Sequence, residues 1–229
     1  MLLLLREEEV QQSTMNKIPM VIMAAGVSSR MKRSSIPVGI SKKLVKQSNM
    51  REKGFIQVGD GNQPIIFYII NNCIKAGIKD FYVILSYDST QFQKYLRKIE
   101  KKLAINITFG FQDFYGKLKP IGTSDALFQL MNQFQELKKK RFLVCNSDNI
   151  YSTKAIRLLL NESIYNSMIA YNYKCLKFSE ERLSSFSILK IKENFLISII
   201  EKPNFDTIKR FNMKFVSMNI FSFKGHQVY

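Results

Sequence analysis

The stretch that decides the fold lies at residues 20–31 and reads MVIMAAGVSSRM. Its first six residues, Met20 to Ala25, form a continuous apolar run of strand length. Such a run is typical of a central parallel strand that is covered by helices on both faces. Gly26 to Arg30 follow as a turn of mostly small residues, and this turn matches neither a Walker A loop nor the GxGxxG pattern. We therefore expect a sheet whose central strand ends in a small-residue turn.

Strand-like and helix-like segments alternate after this first strand, which indicates an α/β domain with a mainly parallel sheet. We predict further strands at 81–85, 105–109 and 142–145. We predict helices from Pro64 to Gly77, over 91–103 and over 124–137. Four later strand-like runs have no long helices between them, and these lie at 167–175, 186–190, 196–200 and 215–223. They predict antiparallel structure added to the same sheet, in one mixed α/β domain rather than two domains.

The charge of the chain is strongly positive, with 35 Lys and Arg against 18 Asp and Glu in 229 residues and a formal net charge of +17. Such an excess is compatible with a nucleic-acid partner, because clustered basic side chains that bind a polyanion release its counterions, and this release favours binding. The basic residues are spread along the chain, however, and no helix-turn-helix, zinc-finger, RNP or KH signature accompanies them. We therefore disfavour a nucleic-acid partner and expect phosphorylated small molecules instead.

Cysteine spacing and the N-terminus indicate a cytoplasmic protein. Cys73, Cys145 and Cys175 form no CxxC pair, so they predict reduced thiols rather than a disulfide framework or a zinc site. The N-terminal leucines are followed by glutamates and lack the features of a signal peptide. No apolar run approaches the ~20 residues of a membrane span, so we expect no membrane association. We assign residues 1–15 to an N-terminal extension and 16–229 to the domain.

Three segments with chemistry-bearing residues follow predicted strands, at the edge where an open α/β sheet binds ligands. The first is the turn of residues 24–30, where small residues allow backbone N–H groups to approach an anion. The second, residues 119–127, contains Gly122 and offers Thr123 or Ser124 as a helix cap. The third, residues 146–149, presents Asp148 as a hard oxygen ligand for Mg²⁺ beside substrate phosphates. Taken singly, the first segment is more typical of a tight turn and the third of an aspartate in a turn, and a capped helix start fits the second almost as well as a binding role.

In this order and spacing, the motifs resemble those of the sugar-1-phosphate nucleotidyltransferase family, which makes nucleoside-diphosphate sugars from an NTP and a sugar 1-phosphate. The resemblance covers roughly residues 18–223, and no single motif is decisive. Two positions differ from the family pattern, since Gln63 replaces a lysine and Ser147 replaces a glycine. The matching segments are 23–31 for AAGxGxR(M/L), 53–58 with 62–65 for the lysine and proline segment, 122–127 for GTADAL, 146–149 for GD(N), 200–203 for (V)EKP and 217–221 for the asparagine-containing strand.

This resemblance implies a Rossmann-like three-layer sandwich of the nucleotide-diphospho-sugar transferase type, similar to the GT-A fold. It also implies the site residues. Nucleotide-binding positions would be Ala24, Ala25, Gly26, Ser28, Ser29, Gly122 and Thr123. The catalytic cations would be Arg30, Lys53 and Lys202, with Asp148 holding Mg²⁺. Sugar-phosphate-binding positions would be Glu201, Lys202 and Asn219. The partners would be an NTP (UTP, dTTP or CTP) and a sugar 1-phosphate.

The residue types suit that reaction, because a sugar phosphate is already ionised at pH 7 and needs no general base. The reaction instead needs alignment of the two substrates and neutralisation of their negative charge. The family usually carries a second metal-binding aspartate beyond the asparagine-containing strand, so we expect a domain truncated at its C-terminus. The basic loop at 33–52 is also longer than the usual linker between the arginine and lysine motifs. Its sequence is as compatible with a lid over the phosphates as with a solvated insertion. The alternatives are a cytidylyltransferase or molybdopterin-type nucleotidyltransferase of the same fold, or a catalytically weak nucleotide-binding module.

Overall fold

The computed structural model of the chain describes residues 18–26, 45, 53–162, 164–176, 186–201, 203 and 215–229, without the side chain of Lys53. The strands are β1 (Met20–Met23), β2 (Gln57–Val58), β3 (Gln63–Pro64), β4 (Asp80–Leu85), β5 (Asn106–Phe111), β6 (Arg141–Asn146), β7 (Ser167–Asn172), β8 (Ile188–Lys192), β9 (Phe195–Ile200) and β10 (Phe215–Lys224). The α-helices are α1 (Ile65–Lys75), α2 (Thr90–Leu103), α3 (Thr123–Gln133), α4 (Thr153–Asn161) and α5 (Gly225–Val228). Short 3₁₀ turns lie at Lys53–Phe55, Gln135–Lys138 and Tyr173–Cys175.

The parallel part of the main sheet is built around β1, as the apolar run predicted. Its strand order is β5-β4-β1-β6, and β1 pairs in parallel with β4 on one side and β6 on the other. Met20, Val21 and Ile22 are fully buried. Because both neighbours run in the same direction, the segments after β1, β4, β5 and β6 all leave the sheet at one edge.

Helices cover both faces of this sheet, which confirms the predicted α/β class with three layers. Met20 and Ile22 pack in a core with α1, α2 and α4. Val21 points to the other face, where α3 and the 3₁₀ turn after it contribute a second core. Successive side chains of a strand point to opposite faces of the sheet, so β1 contributes residues to both cores.

The antiparallel part contributes four strands to a mixed eight-stranded sheet, as the four late strand-like runs predicted. Its centre is β10, which pairs along one side with β7. On its other side, β10 pairs with β6 through residues 220–224 and with β8 through residues 215–216. The hairpin of β8 and β9 therefore extends beyond the carboxyl end of β6.

Several element boundaries differ from the sequence prediction. The helix predicted over 124–137 ends at Gln133 and is followed by the 3₁₀ turn, and the strand predicted over 167–175 ends at Asn172. The helix predicted to close at Gly77 does so, with Gly77 at φ 103°, which is a conformation that favours glycine. The basic loop at 33–52 lies outside the described residues except for Val45, and the extension at 1–15 lies outside them entirely. No helix in the described part of the chain is both long and apolar enough to cross a membrane.

Candidate functional site

The segment after β1 lies at the centre of the carboxyl edge. The Ala24 N–H donates to the Ile84 carbonyl at 2.8 Å, so the chain stays paired with β4 for one residue beyond the strand. Ala24 and Ala25 are buried, whereas Gly26 is exposed. A Cβ placed on Gly26 would meet no described atom within 4 Å, so its backbone faces open space. Ser28, Ser29 and Arg30 lie outside the described residues, and their predicted roles stay predictions.

The loop that carries Asp148 follows β6 and lies directly beside this segment. The Ser147 N–H donates to the Met23 carbonyl at 3.1 Å, which joins the loop to the end of β1. Ser147 is buried, and Asp148 is half-buried at the same edge. The position is compatible with a ligand-presenting carboxylate, and the metal-binding role of Asp148 stays a prediction.

The 3₁₀ turn of Lys53–Phe55 packs against the same loop. A Cβ on Gly54 would lie 2.7 Å from the Ser147 Cβ and 2.9 Å from the Ser147 carbonyl oxygen, so only glycine fits there. The turn is held on its other side by Phe55, whose ring stacks on Phe92 with centroids 5.0 Å apart. The backbone of the predicted lysine segment therefore lies beside the predicted metal loop.

Tyr151 connects the Asp148 loop to β10, and the sequence prediction missed it. Its buried hydroxyl lies 2.8 Å from the Met218 carbonyl oxygen and 3.1 Å from the Asn219 carbonyl oxygen, and it accepts a hydrogen bond from the Asn146 N–H at 3.3 Å. Asn149 Nδ2 also donates to the Met218 carbonyl, at 3.1 Å. Burial raises the pKa of Tyr151 far above its ordinary value, with Cys145 adding to the rise. The hydroxyl therefore remains a protonated donor.

A bulge in β10 places Asn219 at the site. The register with β7 shifts between Ser217 and Phe221, and Asn219 has a left-handed φ of 56°, which asparagine tolerates better than most residues. The Asn219 N–H donates to Ser217 Oγ at 3.1 Å, which stabilises the bulge. Asn219 is exposed, and its backbone is joined through Tyr151 to the Asp148 loop. The structure thus brings Asn219 and the loop that carries Asp148 together.

Glu201 follows β9 on the same side. Its neighbour Ile200 pairs with Ile188, and Ile188 pairs with Val216, immediately before the bulge. Glu201 is exposed there. Lys202 lies outside the described residues, so its predicted contact with a sugar phosphate stays a prediction.

Gly122 and Thr123 lie exposed at the start of α3, and one part of their prediction was wrong. Neither Thr123 nor Ser124 caps this helix, because the helix already begins at Thr123 and Gly122 is the capping residue, without a side-chain hydrogen bond. The buried Gln112 after β5 contacts this helix start in a different way, since its Nε2 donates to the Gly122 carbonyl at 3.3 Å and to Asp125 Oδ2 at 2.9 Å. Only a long-range view of the fold reveals Gln112, because nothing local distinguishes it from a surface glutamine.

The donor groups fit a magnesium ion that is held mainly by substrate. Among the described residues there is no cluster of three or more His, Cys, Asp or Glu side chains. Mg²⁺ commonly binds one or two carboxylates together with substrate phosphates and water, so a single Asp148 at an open edge is a sufficient protein ligand. A structural metal cage is not built into the described part of the chain.

An open α/β sheet with polar groups gathered beyond its parallel strands defines a protein that binds ligands at that edge. Comparison with known proteins gives the family. The model of the nucleotidyl transferase family matches residues 21–228, and the chain belongs to that family. The resemblance to sugar-1-phosphate nucleotidyltransferases that the motifs indicated is therefore confirmed.

Individual relatives are distant. The chain is 25% identical over 173 residues to a glucose-1-phosphate adenylyltransferase of Histophilus somni (strain 2336), covering 72% of this chain and 39% of the relative. It is 23% identical over 201 residues to that of Pasteurella multocida (strain Pm70), covering 83% and 45%. The chain thus spans less than half the length of these curated relatives. A structure described as a glucose-1-phosphate thymidylyltransferase from Bacillus anthracis shares the fold, with a TM-score of 0.64 and 19% identity over 92% of this chain and 73% of that one.

Proposed function

We propose that this chain transfers the NMP moiety of an NTP to a sugar 1-phosphate, releasing pyrophosphate. The observation that carries the proposal is the convergence of three separate segments at one edge of the sheet. Ala24 to Gly26 follow β1, Asp148 follows β6, and Asn219 lies in the bulge of β10. Hydrogen bonds through Ser147 and Tyr151 join all three. These are the segments that the family resemblance assigns to the nucleotide, the metal and the sugar.

The reaction needs little from the protein besides alignment and cover for negative charge. An oxygen of the sugar phosphate attacks the α-phosphorus of the NTP in line, and the bond from that phosphorus to the leaving pyrophosphate breaks. The exposed backbone at Gly26 and Gly122 would bind the nucleotide, and Asn219 and Glu201 would bind the sugar. Arg30, Lys53 and Lys202 would neutralise the phosphates. Asp148 would hold Mg²⁺, which supplies charge neutralisation at the reacting phosphoryl group.

For the substrates, the names of the relatives support glucose 1-phosphate as the first sugar phosphate to test. The nucleotide stays open. The family resemblance implies UTP, dTTP or CTP, and the names of the adenylyltransferase relatives add ATP. The soluble character of both substrate classes supports a reaction in the cytoplasm.

Pyrophosphate release from the four NTPs with glucose 1-phosphate and other sugar 1-phosphates tests the proposal directly. We expect release that requires both substrates and Mg²⁺. Asp148→Asn should reduce turnover at least about a hundredfold, because the metal-binding carboxylate is lost. Asp60→Asn, in the exposed turn between β2 and β3, is the matched control and should retain wild-type turnover. Binding of an NTP without any pyrophosphate release would overturn the transferase proposal in favour of a nucleotide-binding module.

A further inference from the structure

Two glutamines on α3 clamp this helix to the outer edge of β5. Gln133 accepts from the Phe111 N–H at 2.9 Å and donates to the Phe111 carbonyl at 2.6 Å. One turn earlier, Gln129 accepts from the Asp113 N–H at 2.7 Å and donates to the Asp113 carbonyl at 3.0 Å. Residues four apart on a helix share a face, and residues two apart on an extended chain point to the same side. The two side-chain amides thus form a short ladder along β5 and the residues after it, on a side where the described part of the chain places no other strand.

The two clamps differ in what else they reach. Gln129 Nε2 also donates to Asp125 Oδ2 at 2.9 Å. The same Asp125 oxygen accepts from Gln112 Nε2, which also contacts the Gly122 carbonyl. A continuous path of hydrogen bonds therefore runs from the Asp113 backbone, just after β5, through Gln129, Asp125 and Gln112 to Gly122. Gln133 makes its two backbone contacts one turn further from Gly122.

We propose that Gln129 is a positioning residue for the nucleotide half of the site. This inference rests on the proposed function, in which Gly122 and Thr123 contact the nucleotide. Gln129 holds Asp125 in the first turn of α3, and Asp125 in turn orients Gln112 against Gly122. Without the amide of Gln129, Asp125 loses one of the two amide donors to its Oδ2. Asp125 then no longer holds Gln112, and through it Gly122, at one position relative to β5. The loss then appears as weaker nucleotide binding rather than as slower chemistry.

Gln129→Met and Gln133→Met form a matched pair that tests the inference. Each replaces a clamp by an apolar side chain of similar length, so both lower the melting temperature. We expect Gln129→Met to raise the KM for the NTP about tenfold, with kcat and the KM for the sugar phosphate within about twofold of wild type. Gln133→Met should leave the NTP KM within about twofold. Equal changes of the NTP KM in the two variants would mean that Gln129 has only a structural role and would overturn the inference.

Gln129→Glu provides a readout that a structural role would not move. Glutamate accepts from the Asp113 N–H but, when ionised, cannot donate to Asp125 and repels it. Protonation restores a donor, so the NTP KM of Gln129→Glu, relative to wild type at the same pH, should fall as the pH is lowered from about 7 towards the ordinary glutamate pKa of about 4.3. A ratio that does not depend on pH would contradict the proposal.

Direct binding separates this inference from the proposed function. The NTP dissociation constants of wild type, Gln129→Met and Gln133→Met can be measured by calorimetry without turnover. If wild type binds an NTP but releases no pyrophosphate, the transferase proposal fails and the ratio of dissociation constants still decides the role of Gln129. If wild type turns over and the two variants bind equally, the inference alone fails. A wild-type chain that bound no NTP would overturn both.

Discussion

Replacing Tyr151 with phenylalanine removes one hydroxyl that joins the Asp148 loop to the bulge of β10. The Asn146 N–H and the Met218 and Asn219 carbonyls each lose their contact with the hydroxyl. The Met218 carbonyl keeps Asn149 Nδ2 at 3.1 Å. An unsatisfied buried polar group costs about 1–3 kcal/mol, and the long contact from Asn146 belongs at the low end of that range. We therefore expect Tyr151→Phe to lower the free energy of unfolding by about 2 kcal/mol.

Equilibrium denaturation and thermal melting measure this loss. For a domain of this size, about 2 kcal/mol corresponds to a melting temperature lower by roughly 4–8 °C. Pyrophosphate-release kinetics should also show a raised KM for the sugar phosphate and an unchanged KM for the NTP, because Asn219 lies in the predicted sugar pocket. Tyr165→Phe is the control, since Tyr165 is 56% exposed and its ring contacts the edge of Phe195. If Tyr151→Phe melted like Tyr165→Phe, the hydroxyl would not hold the two segments together and the reasoning would be refuted.

Two further substitutions probe the close packing at the site and a surface ion pair. Gly54→Ala should lower the free energy of unfolding by about 1–3 kcal/mol, because its Cβ would lie 2.7 Å from the Ser147 Cβ. Gly61→Ala is the control, and it should leave the free energy of unfolding nearly unchanged in equilibrium denaturation because its nearest contact is 3.4 Å away. At Glu100, burial acts to raise the pKa, but hydrogen bonds from Arg97 and the Ile107 N–H outweigh it and lower the pKa below 4.5. A lowered carboxylate pKa stabilises the fold above the unfolded pKa, so the stability advantage of wild type over Glu100→Gln should shrink as pH falls from about 6 to about 3 in thermal melts. An advantage that stayed constant over that range would contradict this assignment.

The parallel half of the fold was predictable because its signals are local. The apolar run of β1 indicates burial on both faces, and its alternation with helices leaves few possible topologies. The four antiparallel strands were also predictable, but their pairing was not, because β10 changes partners along its length, from β8 at Val216 to β6 at Ile220. A change of partners depends on strands distant in sequence, so no local pattern of residues 215–224 reports it.

The candidate site was predictable at the level of segments and less so at the level of contacts. Asp148 and Asn219 were singled out from their motifs, and the structure brings them together. Tyr151, which connects them, was missed because its partner Met218 lies 67 positions further along the chain. The capping prediction for Thr123 was wrong because the helix already begins at Thr123, and the contact of Gln112 with Gly122 was missed because it joins residues ten positions apart.

The bulge in β10 adds an even number of residues, and this has a consequence for the core. Ser217 pairs with Ala170 and Phe221 with Met168, so four steps along β10 match two along β7 and the bulge inserts two residues. Two residues are one full repeat of a strand, so the insertion does not reverse the faces of the side chains beyond it. Val216 before the bulge and Ile220 after it are both buried. A change of two residues in the length of the bulge would therefore keep Ile220 facing the core, whereas loss of a single residue would expose it.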